Sequence, residues 1–114
     1  MATQDRYTLE EVRAGRVASG KRYLEFLRIP AMSAGLYALS AGAEDRQSPL
    51  QQDELYYAVR GRAKLRIDDG ASPAREVPVA PGDILFVAAR VVHKFFDVTE
   101  DLELLVFFAP AETE

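Results

Sequence analysis

Between Arg22 and Ala109 the chain alternates runs of five to eight residues rich in Val, Ile, Leu, Tyr and Phe with short clusters of Gly, Pro, Asp and Ser. The punctuation falls at Ser19-Gly20, Ser33 to Gly35, Ala41-Gly42, Arg60-Gly61, Asp68-Asp69-Gly70 and Pro81-Gly82-Asp83. That rhythm predicts many short antiparallel strands closing into a sandwich or barrel. The strands are expected at 22–29, 34–39, 54–60, 62–67, 75–79, 83–88, 92–98 and 102–109. Pro81-Gly82 suits a tight turn, because proline fixes φ and glycine accepts the positive φ that follows. Leu55 to Val59 and Leu104 to Phe108 are apolar on both faces, so each strand needs cover on its outer side as well as its inner one. Ahead of the strands, Thr8-Leu9-Glu10-Glu11 fits a capping box. It predicts one or two helical turns over Leu9 to Ala14, with Leu9 and Val12 packed on the barrel. Residues 1–5 and the tail from Ala109 to Glu114 are expected to fray.

Composition narrows the function. A chain of 114 residues is read as one domain, 1–114, with its core over about 22–110. Its net charge of −4 argues against nucleic acid as a partner, which needs clustered basic residues on a basic domain. Arg60, Arg62, Lys64 and Arg66 alternate along one strand face, which reads as a solvated face before it reads as an anion site. With no cysteine there is neither a disulfide framework nor a thiolate metal site. No stretch approaches the ~20 apolar residues of a membrane span, and the N-terminus lacks a signal-peptide pattern. No membrane association and a cytoplasmic location are the resulting expectations.

One spaced motif carries more. Gly42, Ser48, Leu50, Glu54 and Gly61 are followed by Gly82, Ala88, Arg90, His93 and Asp97. From about Arg22 to Pro110 this resembles the two signatures of the cupin superfamily, and the resemblance implies an all-β jelly-roll barrel. It is similar in particular to small single-domain cupins, keeping Gln47, Ser48, Pro49, Asp53, Glu54, Tyr56, Tyr57 and the run Val106 to Pro110. In cupins the ligand positions corresponding to Ser48, Leu50, Glu54 and His93 hold a divalent metal such as Zn, Ni, Mn or Fe. Here serine and leucine stand where histidines are usual, so the metal motif is degenerate. What remains for a metal is the incomplete set Glu54 and His93, with Gln47 or Ser48 as helpers, and no metal is expected to be bound tightly. Proline and glycine of the second signature are replaced by Ala88 and Arg90. Arg90 then sits in a loop near the barrel mouth, as a solvated arginine or an anion clamp.

Strand alternation puts residues two apart on one face, so Glu54 and Tyr56 point the same way, as do His93 and Phe95. An inward glutamate is costly unless paired. Without a metal, Glu54 and His93, the only histidine, are expected to form a charge-assisted pair. Glu54, His93 and Tyr56 are the candidate catalytic residues, since some metal-free cupins work with a histidine base and a tyrosine acid. The simpler expectation for Tyr56 is a wall residue whose hydroxyl finds one partner. Leu50, Glu54, Tyr56, His93 and Phe95 are expected to line an apolar pocket inside the barrel. The aromatic set Phe86, Phe95, Phe96, Phe107 and Phe108 is expected mostly in the core. Three functions fit this pattern. One is a degenerate cupin binding an unidentified small molecule in its barrel. Another is a metal-dependent enzyme of the dioxygenase, isomerase or decarboxylase kind with a reduced ligand set. The last is a structural or partner-binding module. Both-face apolar strands also predict a homodimer.

Overall fold

In the computed structural model, residues 3–46, 50–70 and 73–113 are described. One helix, α1 (Leu9–Ser19), precedes six strands: β1 (Tyr23–Ile29), β2 (Met32–Leu39), β3 (Asp53–Asp68), β4 (Arg75–Val79), β5 (Ile84–Val87) and β6 (Val92–Ala109). All pairings are antiparallel, in the order β1-β2-β6-β3-β4, with β5 also on β3. The fold is the all-β jelly roll that the resemblance implied.

The capping box at Thr8 and Glu11 forms as expected, but the helix runs three turns instead of one or two. Gly20, in the left-handed region at φ 71°, stops it. Val12 is buried together with Ala34 and Leu36, so α1 covers the outer face of β1 and β2. Arg13 pins the helix to the sheet through Glu103, with Nη2 to Oε1 at 2.6 Å and Nε to Oε2 at 2.9 Å. The hydrogen bond from Arg13 holds the Glu103 carboxyl below its usual range, overcoming the opposing effect of burial.

Two expected strand pairs are each a single long strand. Segments 54–60 and 62–67 are continuous in β3, and 92–98 and 102–109 are continuous in β6. Gly61 is a bend inside β3, not a turn between strands. At φ 93° it lets the backbone of Asp101 come so close that a Cβ would collide with the Asp101 carbonyl oxygen. Register shifts around Arg60 and Arg62 accompany the bend. Buried positions then move from 54, 56 and 58 to 61, 63, 65 and 67, which keeps the same side of the strand facing the core.

Inside lie Tyr56, Leu65, Phe95, Leu104 and Val106, all at 2% exposure or less. The outer face of β3 is basic but neutralised: Arg62 meets Glu100 at 3.4 Å, Lys64 meets Asp97 at 3.5 Å and Arg66 meets Glu76 at 3.3 Å. Such exposed pairs stabilise little, and they answer the charge of the stripe within the chain itself. Phe86 is not core as expected but 58% exposed. Gly82, at φ 92°, closes the predicted turn, with the Asp83 N–H donating to Ala80 O at 3.1 Å. The tail does not fray through its described length. The Ala111 N–H donates to Pro30 O at 3.4 Å, and the Glu112 N–H donates to Ser33 Oγ at 2.8 Å. Among the described residues no helix is long and apolar enough to cross a membrane.

Candidate functional site

The folded-over course of β3 and β6 brings the start of each strand to the same end of the barrel. Glu54, second in β3, lies between Val87 and Phe108, while His93, second in β6, lies opposite Ile67. Side-chain alternation turns both inward, and Glu54, Tyr56, His93 and Phe95 are all at 4% exposure or less. His93 Nε2 stands 3.1 Å from Glu54 Oε2 and 3.0 Å from Tyr56 Oη. The Tyr56 hydroxyl also donates to Glu54 Oε2. So Tyr56 is more than a wall residue with one partner: it closes a triangle. Phe95 supports the ring edge-on, with centroids 5.1 Å apart.

Proton counting defines what this triangle holds. His93 Nδ1 lies 3.0 Å from the Val91 carbonyl oxygen, which can only accept, so Nδ1 carries a proton. If His93 were neutral and Glu54 ionised, the Nε2 lone pair would face a carboxylate oxygen. A second proton must sit between them, as imidazolium with carboxylate or as imidazole with carboxylic acid. Burial pulls the His93 pKa down. The hydrogen bond to Glu54, the Val91 carbonyl and the charges of Glu54 and Asp45 outweigh burial and hold His93 above its usual value.

Asp45 is a further buried carboxylate, one for which the sequence carries no signal. Its Oδ1 accepts from Tyr37 Oη at 2.7 Å and its Oδ2 from the Phe95 N–H at 2.8 Å. Asp45 thus fixes the strand that carries His93. Burial and then the hydrogen bond to Asp45 push the Tyr37 phenol up. The barrel interior holds two phenol–carboxylate pairs, Tyr56–Glu54 and Tyr37–Asp45. Gln52, two residues before Glu54 and just ahead of β3, is 4% exposed, and its Oε1 has no partner.

Leu50 is half-buried against the core, and its carbonyl accepts from the Arg90 N–H at 2.7 Å. Arg90 is exposed at φ 66°, a left-handed conformation that glycine adopts freely. Gln47 and Ser48 lie outside the described residues. A groove of about 470 Å³ borders Glu54 beside Met32, Leu55, Phe86 and Phe107. A recess of about 210 Å³ borders His93 beside Arg66, Asp68 and Lys94. Leu50, Tyr56 and Phe95 line neither of these.

A divalent metal does not fit the described donors. Among the described residues no group of three or more His, Cys, Asp or Glu is placed to hold one. Leu50 offers no donor atom, and Glu54 and His93 are already joined through Tyr56.

Solved structures share this architecture. KdgF from a Halomonas species superposes with a TM-score of 0.65 at 18% identity, covering 77% of this chain and 76% of that one. An RmlC-like cupin with a double-stranded β-helix fold from Methanocaldococcus jannaschii gives 0.66 at 16% identity, over 77% and 78%. The chain is a cupin by fold. A Bacillus subtilis oxalate decarboxylase variant gives 0.66 at 21% identity over 71% of this cupin, which spans 22% of that chain. No protein-family model matches the sequence. At the level of sequence, the cupin is 44% identical over 107 residues to a Streptomyces coelicolor protein described as uncharacterized protein SCO3923, covering 94% of this chain and 97% of the other. It belongs to the same family as that protein.

Proposed function

We propose that this cupin binds a small molecule inside its barrel without a tightly held metal, and that the Glu54–Tyr56–His93 triangle recognises the polar group of that molecule. The observation carrying the reading is the Tyr56 hydroxyl, which reaches both Glu54 and His93. The two residues left from the metal motif are thereby joined by hydrogen bonds in a buried interior. Such a network holds two exchangeable protons that a guest hydroxyl or amide can share. Catalysis is no part of the proposal. The test is elemental analysis of untagged protein purified without chelators, followed by titration with Zn²⁺, Ni²⁺ and Mn²⁺. Expected are no stoichiometric metal and no binding at micromolar concentration.

A metal-dependent enzyme is the second reading, favoured by the convergence of Glu54 Oε2 and His93 Nε2 to 3.1 Å. It needs further donors, for which Gln47 and Ser48 are the candidates, and a near-stoichiometric metal in the same analysis would establish it over the first.

We further propose that the protein is a homodimer. Leu55, Tyr57, Ile84 and Phe86 are 42%, 42%, 67% and 58% exposed. Leu55 faces Phe86 and Tyr57 faces Ile84 across β3 and β5, so the four form one patch. It continues onto Leu105 and Phe107 of β6. Helix α1 covers the outer face mainly over β1 and β2. A second copy supplies the cover that these strands lack.

A further inference from the structure

The end of the barrel that carries Glu54 is crossed by the residues after β6. The Ala111 N–H reaches Pro30 O at 3.4 Å, the Glu112 N–H reaches Ser33 Oγ at 2.8 Å, and Arg28 Nη2 donates to Glu112 O at 2.7 Å. Gln52 Nε2 donates to Thr113 Oγ1 at 2.7 Å. Only Ala111 of this segment is buried. It is fastened by a few hydrogen bonds near the surface and little apolar burial, the signature of a unit that opens locally at low cost.

Two polar atoms beneath this segment have no partner: Gln52 Oε1 and Tyr23 Oη. Gln52 is buried two residues before Glu54, just ahead of β3, and the Tyr23 ring packs edge-on against Phe108, which lies opposite Glu54. Tyr23 also covers Gly35 so closely that no Cβ fits there. Burial lifts the Tyr23 phenol well above its usual range, and the charges of Glu112, Glu25 and Glu54 lift it further against Arg28. An acceptor and a donor buried without partners are rare and call for an occupant. The three carboxylates sensed at Tyr23 disfavour an anion there. A hydroxyl group has the chemistry that both orphans lack, since it can donate to an amide oxygen such as Gln52 Oε1 and accept from a phenol such as Tyr23 Oη.

We propose that Tyr23 and Gln52 bind a hydroxyl group of a neutral small molecule, and that residues 110–113 form a strap that opens to admit it. The proposal rests on the reading of the barrel interior as a ligand site, and it names the ligand class and the door. Ligand release follows strap opening, and a bound guest holds the strap down.

The experiment is a titration of isotope-labelled protein with glycerol, erythritol and xylitol, and with glycerate and xylonate as anionic counterparts. The Gln52 side-chain amide and the backbone amides of Ala111 and Glu112 are followed by NMR. A neutral polyol is expected to shift the Gln52 amide, to slow exchange at Ala111 and Glu112 at least tenfold, and to bind at least tenfold more tightly than its acid. Tyr23→Phe and Gln52→Met are each expected to weaken polyol binding at least tenfold. Without polyol, Tyr23→Phe is expected to keep or raise the melting temperature, because it removes an unpaired donor; a purely structural hydroxyl would lower it. Binding that shifts Tyr56 and His93 but ignores both substitutions overturns the proposal while leaving the interior a ligand site. Failure of every compound to move any interior resonance removes both readings, and the two orphans are then satisfied by ordered water.

Discussion

Tyr56 Oη lies 3.0 Å from His93 Nε2 and donates its proton to Glu54 Oε2, so one phenol serves two buried ionisable groups. Removing the hydroxyl by Tyr56→Phe leaves Glu54 and His93 as a bare pair and costs about 1–2 kcal/mol. Glu54→Gln removes the only carboxylate in the triangle and costs about 1–3 kcal/mol. Urea unfolding of both variants against wild type measures this. Unchanged midpoints would place the triangle in contact with water.

The same contacts set a pH dependence. His93 is raised above 6.5 in the folded protein. Folding then favours the protonated ring, so its stabilisation is complete below about pH 6.5 and is lost as pH rises through the raised value. The urea midpoint of wild type should fall across that window. In Glu54→Gln the main opposing contributions to burial are gone, and the His93 pKa should drop below 6.5. The slope due to His93 then reverses, with stability lost as pH falls. NMR titration of the single imidazole reads both directions.

Position 50 is where a histidine would complete three protein ligands with Glu54 and His93. Leu50→His should strengthen binding of Ni²⁺, Zn²⁺ or Mn²⁺ at least tenfold over wild type, because imidazole suits all three and three protein ligands leave an open site. Calorimetry showing no gain would mean that the side chain at 50 turns away from the triangle.

Arg90 holds φ 66° where the signature it resembles has glycine. A non-glycine residue in that region carries a cost of order 1–3 kcal/mol, while glycine gives back part of the difference through a freer unfolded chain. Arg90→Gly should therefore stabilise by about 0.5–1 kcal/mol, visible in the urea midpoint. A loss of stability would show that the arginine side chain contributes a contact worth more than the strain.

How much of this was legible beforehand follows from how local each signal is. Strand alternation alone put Glu54 with Tyr56 and His93 with Phe95, because a period of two survives any tertiary detail. Asp45 had no such signal: it sits in a polar stretch without periodicity, and its partners Tyr37 and Phe95 come from two different strands, the second 50 residues away. The tail was misread for the same reason, because what orders it is Pro30, Ser33 and Arg28 rather than any pattern of its own. Helix α1 outran its prediction because Gly15 lies close against Leu24, 3.1 Å from where its Cβ would be, making a residue that reads as a breaker into a packing contact. The bend at Gly61 looked like a turn because glycine serves both, and only the approach of Asp101 distinguishes them.

The outer patch yields the last prediction. Phe86 is 58% exposed on β5 and faces Leu55, with Phe107 on the far side of Leu55. A large exposed aromatic side chain in an apolar patch is the kind of residue that dominates an interface, with truncation costing ~2 kcal/mol or more. Phe86→Glu also places a charge opposite Leu55, where two copies would bury it without a partner. Light scattering coupled to gel filtration should give a dimer for wild type at micromolar concentration and a monomer for Phe86→Glu, with association weakened by a factor of ~30 or more. Because the side chain points away from the barrel core, the monomer should keep the Glu54–Tyr56–His93 resonances. A wild type that stays monomeric at hundreds of micromolar would leave this face free and remove the proposed pairing.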